Sequence, residues 1–314
     1  MSRYIANRTF YALVVTWAVA TLVFFMLRAV PGDPFRAMLA DVDPAAAEAL
    51  RRKFGMDQPI YVQYFLWFGR LLQGDLGNSI YGSNVAVSRI IREAFPRTIA
   101  LASLAFLISL LLAISAGITS AVKKHSFLDH SFTFAAFLGL SMPDFWLGIL
   151  LIIVFAVKLH WLPAIGYAAL SKGFWPWLSH LILPAIAIGT PFSAIIARMT
   201  RSAMLEVLQS DYIKVARAKG LHERTVIFTH ALRNALIPVV TVMGIAFALL
   251  MSGAVIVENV FAIKGLGRVL IQGILNRDYP VVQGAILVVS IIFVFINLLV
   301  DVLYTVIDPR IRYE

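Results

Sequence analysis

An all-α, polytopic membrane protein with six transmembrane helices is the fold this sequence predicts, on two observations. Of its 314 residues, 60% are hydrophobic and only 14% charged, with a mean hydropathy of +0.84, against about 45–50% apolar and about 25% charged in an ordinary soluble domain. A helix crossing about 30 Å of hydrocarbon needs roughly 20 apolar residues. Runs of that kind lie at 10–27, 98–122, 131–157, 180–197, 234–257 and 279–300. The absence of cysteine excludes a disulfide scaffold, a thiolate zinc or iron–sulfur site and a cysteine nucleophile.

The elements follow in chain order. Residues 1–28 read as an N-terminal anchor helix: Arg3 and Arg8 precede an apolar run too long for a signal peptide, and no small-residue cleavage site follows it. Residues 29–97 form a long outer, periplasmic loop with short helices. One is expected after Asp43-Pro44, with Asp43 at the N-cap, Pro44 at the first helical position and Gly55 as the stop. Another is expected over Ile60–Leu72, where Tyr61, Tyr64, Phe65, Trp67 and Phe68 suit the outer membrane interface, as a lid over a pathway or as packing against neighbouring loops. Residues 98–308 make the transmembrane core. Its third span is interrupted only by Asp144, and its fourth is expected to be short and kinked because it contains Pro184 and Pro191. Residues 309–314 form a tail.

The net charge of +10 suits either nucleic acid or positively charged cytoplasmic loops. Six spans put both termini on one side. That side carries Arg3, Arg8, Lys123, Lys124, the basic residues of 198–233, Arg310 and Arg312. The two short loops opposite hold only Lys158, Lys172, Lys264, Arg268 and Arg277. Short loops set orientation, so the termini are expected in the cytoplasm and nucleic acid is not needed to explain the charge.

The loop 198–233 is the most informative soluble segment. Ser210 suits an N-cap, Asp211 puts negative charge in a first turn, and Gly220 stands where a left-handed stop is expected. Tyr212, Val215, Ala216 and Lys219 recur at helical spacing as one face, with Lys214 and Arg217 elsewhere. A second helical run, 222–234, leads into the fifth span. Such a hairpin either packs beneath its own membrane domain or docks into a partner.

The run Asp211-Tyr-Ile-Lys-Val-Ala-Arg-Ala-Lys-Gly220-Leu, followed by His230-Ala-Leu-Arg-Asn-Ala-Leu-Ile-Pro238, resembles the "EAA" coupling loop of bacterial ABC importer permeases. Aligned on Gly220, only Ala216, Gly220 and Leu232 keep the broad family pattern. A-R-A-K-G and H-A-L-R-N-A are usual in the dipeptide, oligopeptide and nickel subfamily. Pro31-Gly-Asp-Pro34, Gly74-Asp-Leu-Gly77, Ser141-Met-Pro143, Trp161-Leu-Pro163, Arg198-Met-Thr-Arg201, Gly265-Leu-Gly-Arg268, Arg277-Asp-Tyr-Pro-Val281 and Asp308-Pro-Arg-Ile-Arg312 extend the likeness over the chain.

The resemblance implies a type I ABC importer permease fold in the bacterial inner membrane. It implies a second homologous permease subunit, two cytoplasmic ABC ATPases and a periplasmic or lipid-anchored solute-binding protein. ATP and Mg would be used by the ATPases, with no cofactor on this chain. It also implies an ATPase-coupling site at Asp211, Tyr212, Lys214, Val215, Ala216, Ala218, Lys219, Gly220 and Leu221, where Ala216 and Gly220 allow close docking. Di- and oligopeptides come first as substrates, with nickel chelates or glutathione as alternatives.

An energy source of its own is missing from the sequence. No Gly-Lys dipeptide occurs, so there is no phosphate-cradling loop of the G-x-x-x-x-G-K kind, and Gly265-Leu-Gly267 lacks the third glycine of a dinucleotide loop and reads as a turn. His222-Glu223 is not completed to a zinc-binding pair, and no G-x-S-x-G elbow occurs, so the chain is read as a non-enzyme. A channel or secondary transporter remains the alternative class, although few ionisable residues lie in the spans. The six histidines are scattered and predict no metal site. Candidates for lining a pathway are Met142, Asp144, Glu258, Asn259, Asn297 and Asp301, the last four with helix-end or interhelical hydrogen bonding as the plainer role. Asp144, beside Pro143 and deep in the third span, would meet a cation such as a peptide ammonium.

Overall fold

The computed structural model describes residues 2–29, 57–81 and 85–307, with side chains from 7 through 299. The helix expected after Asp43 and the tail 309–314 lie outside them. Within the described residues the chain is helical. It comprises α1 (Ser2–Ala29), α2 (Ile60–Leu72), α3 (Val87–Val122), α4 (Phe127–Ser141), α5 (Asp144–Lys158), α6 (Phe174–Leu208), α7 (Asp211–Ala218), α8 (Glu223–Val260), α9 (Leu266–Leu275) and α10 (Tyr279–Ile307). Five helices, α1, α3, α6, α8 and α10, are long and apolar enough to cross a membrane. The pair α4 and α5 brings the number to six when it is taken as one broken span.

That broken span corrects the expectation of a single helix over 131–157: α4 and α5 are bent by 105°. Proline at 143 has no N–H for a helical bond and pushes the residue before it out of the helical region. Met142 is accordingly extended, at φ −91° and ψ 126°. Asp144 therefore opens a helix instead of interrupting one. The fourth run is also corrected. It lies within a helix of 35 residues, because Ile196, Thr200, Ala203 and Met204 carry its buried stripe at helical spacing well past the apolar run.

The most extensive helix–helix contact joins α3 to α6. Between helices in lipid there is little hydrophobic gain, so close approach and hydrogen bonding hold them. On α3 the buried residues Ala105, Ser109, Ala113, Gly117 and Ala121 recur every fourth position. The Ser109 hydroxyl donates to the Gly189 carbonyl of α6 at 2.8 Å. A Cβ on Gly117 would lie 2.6 Å from Cβ of Thr200.

At the end of the bundle that carries α7, called here the hairpin end, Asp129 at the start of α4 is buried and holds Arg201 of α6 through two bonds. These run from Nε to Oδ1 at 2.7 Å and from Nη2 to Oδ2 at 2.9 Å. At the opposite end α2 leans on α1 through aromatic rings. Tyr64 stacks on Phe25 at 5.5 Å, Trp67 lies 5.1 Å from Phe24, and Gln63 accepts from Nε of Arg28. Tyr61, Phe65 and Leu66 on α2 remain exposed, so the helix expected at 60–72 is present with one packed face and one apolar free face.

Candidate functional site: the α7–α8 hairpin and the α4–α5 bend

The hairpin is built around Gly220. After α7 the chain reverses with Gly220 at φ +78°, a left-handed conformation that costs a residue with a Cβ roughly 1–2 kcal/mol and glycine little. Leu221 N–H reaches back to the Ala216 carbonyl at 3.4 Å, and the His222 ring accepts from Arg224 N–H as α8 begins. The first turns of α8 pass through a π-helical stretch, Val226–Ala231, before the long membrane helix continues.

The arms of the hairpin are cross-tied. Arg217 on α7 donates to Glu223 on α8 from Nη2 at 2.7 Å and from Nε at 3.2 Å. That hydrogen bond, against a smaller opposing effect of burial, raises the Arg217 pKa above its ordinary value. Further along, Nδ2 of Asn234 donates to the Tyr212 hydroxyl at 2.8 Å. Underneath, Ile213 and Ala216 are buried in one cluster with Ile196, Met204, Val226, Ile227 and Ala231. This cluster seats α7 directly on α6 and α8.

The face expected from Tyr212, Val215, Ala216 and Lys219 is divided by the structure. Ala216 turns inward with Ile213 and is 8% exposed, so the small residue serves close packing within the chain. An eight-residue helix must bury something to stay attached, and its largest aliphatic side chain one turn away, Ile213, sets the inward side. Tyr212, Val215 and Lys219 face out, together with Asp211, Lys214, Ala218, Gly220 and Leu221. Lys214 pairs with Asp211 at 2.8 Å on that surface. Ser210 occupies the N-cap position, but its hydroxyl donates to the Val207 carbonyl and does not cap α7.

Of the six pathway candidates, Met142 and Asp144 flank Pro143 at the α4–α5 bend. Asp144 is the first residue of α5 and accepts from Phe145 N–H at 2.8 Å. Its Oδ2 lies 3.4 Å from where a Cβ on Gly253 of α8 would stand. Discontinuous helices at membrane depth leave free backbone groups only where protein or a polar cavity satisfies them.

Glu258 takes the plainer of its two expected roles, interhelical hydrogen bonding, and lines no pathway within this chain: it is an internal clamp. It is fully buried, accepts from the Thr98 hydroxyl of α3 at 2.5 Å, and takes the N–H groups of Gly267 and Arg268 at 2.8 and 3.2 Å. Those N–H groups are unpaired donors at the start of α9, where a carboxylate is favoured. Gly265 and Gly267 are there because a Cβ at 265 would lie 2.2 Å from Oε1 of Glu258 and one at 267 would lie 2.3 Å from Cα of Val255. Asn259 bonds back to the Val255 carbonyl of its own helix. Asn297 does the same with Phe293 and lines a groove between α1 and α10 with Arg8 and Tyr11. Asp301 lies on α10, beyond the described side chains.

Two polar clusters escaped sequence reasoning. One is the Asp129–Arg201 pair. The other is Asp278, buried before α10, which accepts from the Ser79 hydroxyl and from the N–H groups of Ile80 and Tyr81. The sequence held Asp278 and Arg201 only inside the resemblance motifs Arg277-Asp-Tyr-Pro-Val281 and Arg198-Met-Thr-Arg201, with nothing to say what either would bond.

A broken span, a row of long apolar helices and a cross-tied hairpin on one end define a multi-pass membrane protein. The family described as "Binding-protein-dependent transport system inner membrane component" matches residues 113–313, and its N-terminal counterpart matches residues 1–102. The chain belongs to this family. It is 39% identical over 319 residues to the oligopeptide transport system permease protein AppB of Bacillus subtilis (strain 168), covering 100% of both chains. It is 42% identical over 337 residues to the di/tripeptide transport system permease protein DppB of Pseudomonas aeruginosa (strain UCBPP-PA14), again covering 100% of both. The fold matches a chain of the MetNI methionine ABC transporter in inward-facing conformations. That match has a TM-score of 0.58 at 18% identity and covers 70% of this chain and 96% of that one.

Proposed function

We propose that this chain is the permease subunit of an ATP-driven importer of di- and oligopeptides in a bacterial inner membrane, with both termini and the α7–α8 hairpin in the cytoplasm. The observation that carries the reading is the hairpin. It presents Tyr212, Val215, Lys219 and Leu221 outward while Ile213 and Ala216 seat it on the membrane helices. An exposed apolar and basic surface mechanically joined to α6 and α8 suits docking into a groove on an ATPase. Full-length likeness to permeases named for peptides supports the substrate class.

In this reading a second permease chain completes the pathway, two ATPases bind and hydrolyse ATP with Mg, and a solute-binding protein delivers the peptide. Closure of the ATPase pair pushes the hairpin, and the long helices rock as rigid bodies. The test is reconstitution of the chain with a second permease, the ATPases and the binding protein in proteoliposomes. Uptake of a labelled dipeptide that needs both ATP and the binding protein supports the reading. Ion conductance by this chain alone, or failure to co-purify with an ATPase, overturns it.

Asp144 and Met142 line the pathway in this proposal. The carboxylate at the α4–α5 bend would meet the peptide ammonium, since a charge at membrane depth calls for a partner or a polar cavity. Asp144→Asn is expected to weaken uptake by about tenfold in apparent affinity while assembly and ATPase activity stay normal. Unchanged uptake of every peptide tried would remove Asp144 from the pathway.

A further inference from the structure

At the hairpin end, a groove of about 190 Å³ opens between α3, α4 and α6. Its walls are apolar, formed by Ala116, Phe132, Ala136, Phe137 and Leu140, and Arg198 and Arg201 stand at it. The two guanidinium groups differ. Arg201 is committed to Asp129, whose Oδ2 also takes His125 N–H. Arg198 is exposed and, among the described residues, makes no hydrogen bond or ion pair.

Depth adds the second constraint. Arg198 directly follows the charge-free run 180–197, and on α3 the run 98–122 ends at Lys123 and Lys124. By the end of both charge-free runs, Arg198 is expected where hydrocarbon gives way to headgroups. Below it, Phe137 is 57% exposed and Phe134 65%, so this flank of α4 is uncovered. With Asp129 already paired, no carboxylate lines the groove to neutralise Arg198.

We propose that this groove is a binding site for an anionic phospholipid. The Arg198 guanidinium takes the phosphate through its forked N–H groups, and one acyl chain lies along Phe132, Ala136, Phe137 and Leu140. Arginine matches phosphate in a two-point geometry that lysine lacks, and basic pockets between membrane helices select anionic headgroups. A packed helix from a second protein chain would meet an unpaired cation here, which is unfavourable without an acid to match it. The inference is independent of the transported substrate.

The experiment uses the full chain, purified in detergent, stripped of lipid and titrated with phosphatidylglycerol or phosphatidylcholine under native mass spectrometry. Phosphatidylglycerol is expected to bind about fivefold more tightly, and Arg198→Gln to abolish that preference. Ala136→Trp, which fills the groove and leaves the charge, is expected to weaken both lipids, and it keeps the test open if Arg198→Gln does not accumulate. Equal binding of the two lipids to the native chain overturns the proposal, as does undiminished preference in Arg198→Gln.

A second arm identifies the occupant in the assembled importer. Because the chain has no cysteine, Phe137→Cys supplies a single site on it, which is spin-labelled before the chain is assembled with its partners. Contact with membrane-dissolved oxygen in nanodiscs supports lipid in the groove. Shielding of the label by a second permease chain overturns it.

Discussion

Gly220→Val is expected to abolish peptide uptake while the assembled importer goes on hydrolysing ATP. Nothing lies within 4 Å of the position a Cβ would take, so the effect is not a clash. It comes from φ +78°, which a β-branched residue adopts only as an outlier. The cheaper course for the chain is to open the turn. That would release the Leu221 N–H from the Ala216 carbonyl and change the angle between α7 and α8, while Ile213 and Ala216 keep α7 attached. Push from the ATPases would then be absorbed in the loosened turn. ATPase activity and dipeptide uptake, measured on the same proteoliposomes, separate the two. Gly220→Asn, which tolerates the left-handed region, is expected to retain most of the uptake. Normal uptake in Gly220→Val would refute the coupling role of this turn.

Glu258→Ala is expected to be the most destabilising single change among the polar residues of the bundle. It strands the Thr98 hydroxyl and the N–H groups of Gly267 and Arg268 in a buried site, at about 1–3 kcal/mol for each group left without an acceptor. It also leaves α9 without its cap. The checks are the membrane abundance of the chain and its thermal unfolding in detergent, both of which should fall clearly. Glu258→Gln keeps one acceptor oxygen and should fall between the two. If Glu258 faced substrate instead, the alanine variant would assemble at the native level and lose only uptake.

Much of the architecture was legible because it rests on local properties. Hydropathy over a window of about 20 residues locates membrane helices, and five of the six runs lie within single long helices. The left-handed turn at Gly220, the helix at 211–218 and the helix at 60–72 follow from residue preferences a few positions wide. The every-fourth spacing from Ala105 to Ala121 is also visible in the sequence, as the signature of a helix meant for close approach.

Composition, spacing and backbone preference therefore settle that the chain is an α-helical membrane protein, roughly where five of its spans lie and where the hairpin turns. The tertiary structure decided which side of each helix is used. Ala216 and Val215 are neighbours of similar character, yet one is buried and the other exposed, because Met204, Val226 and Ile227 arrive on one side only. Glu258 and Asp129 are both carboxylates near helix ends. Their roles depend on Thr98, 160 positions away, and on Arg201, 72 positions away. The 105° bend at Pro143 likewise brings Asp144 beside Gly253, a meeting that no pattern along the chain encodes. Periodicity reports the period of a helix, whereas burial and pairing are made by whatever packs against it.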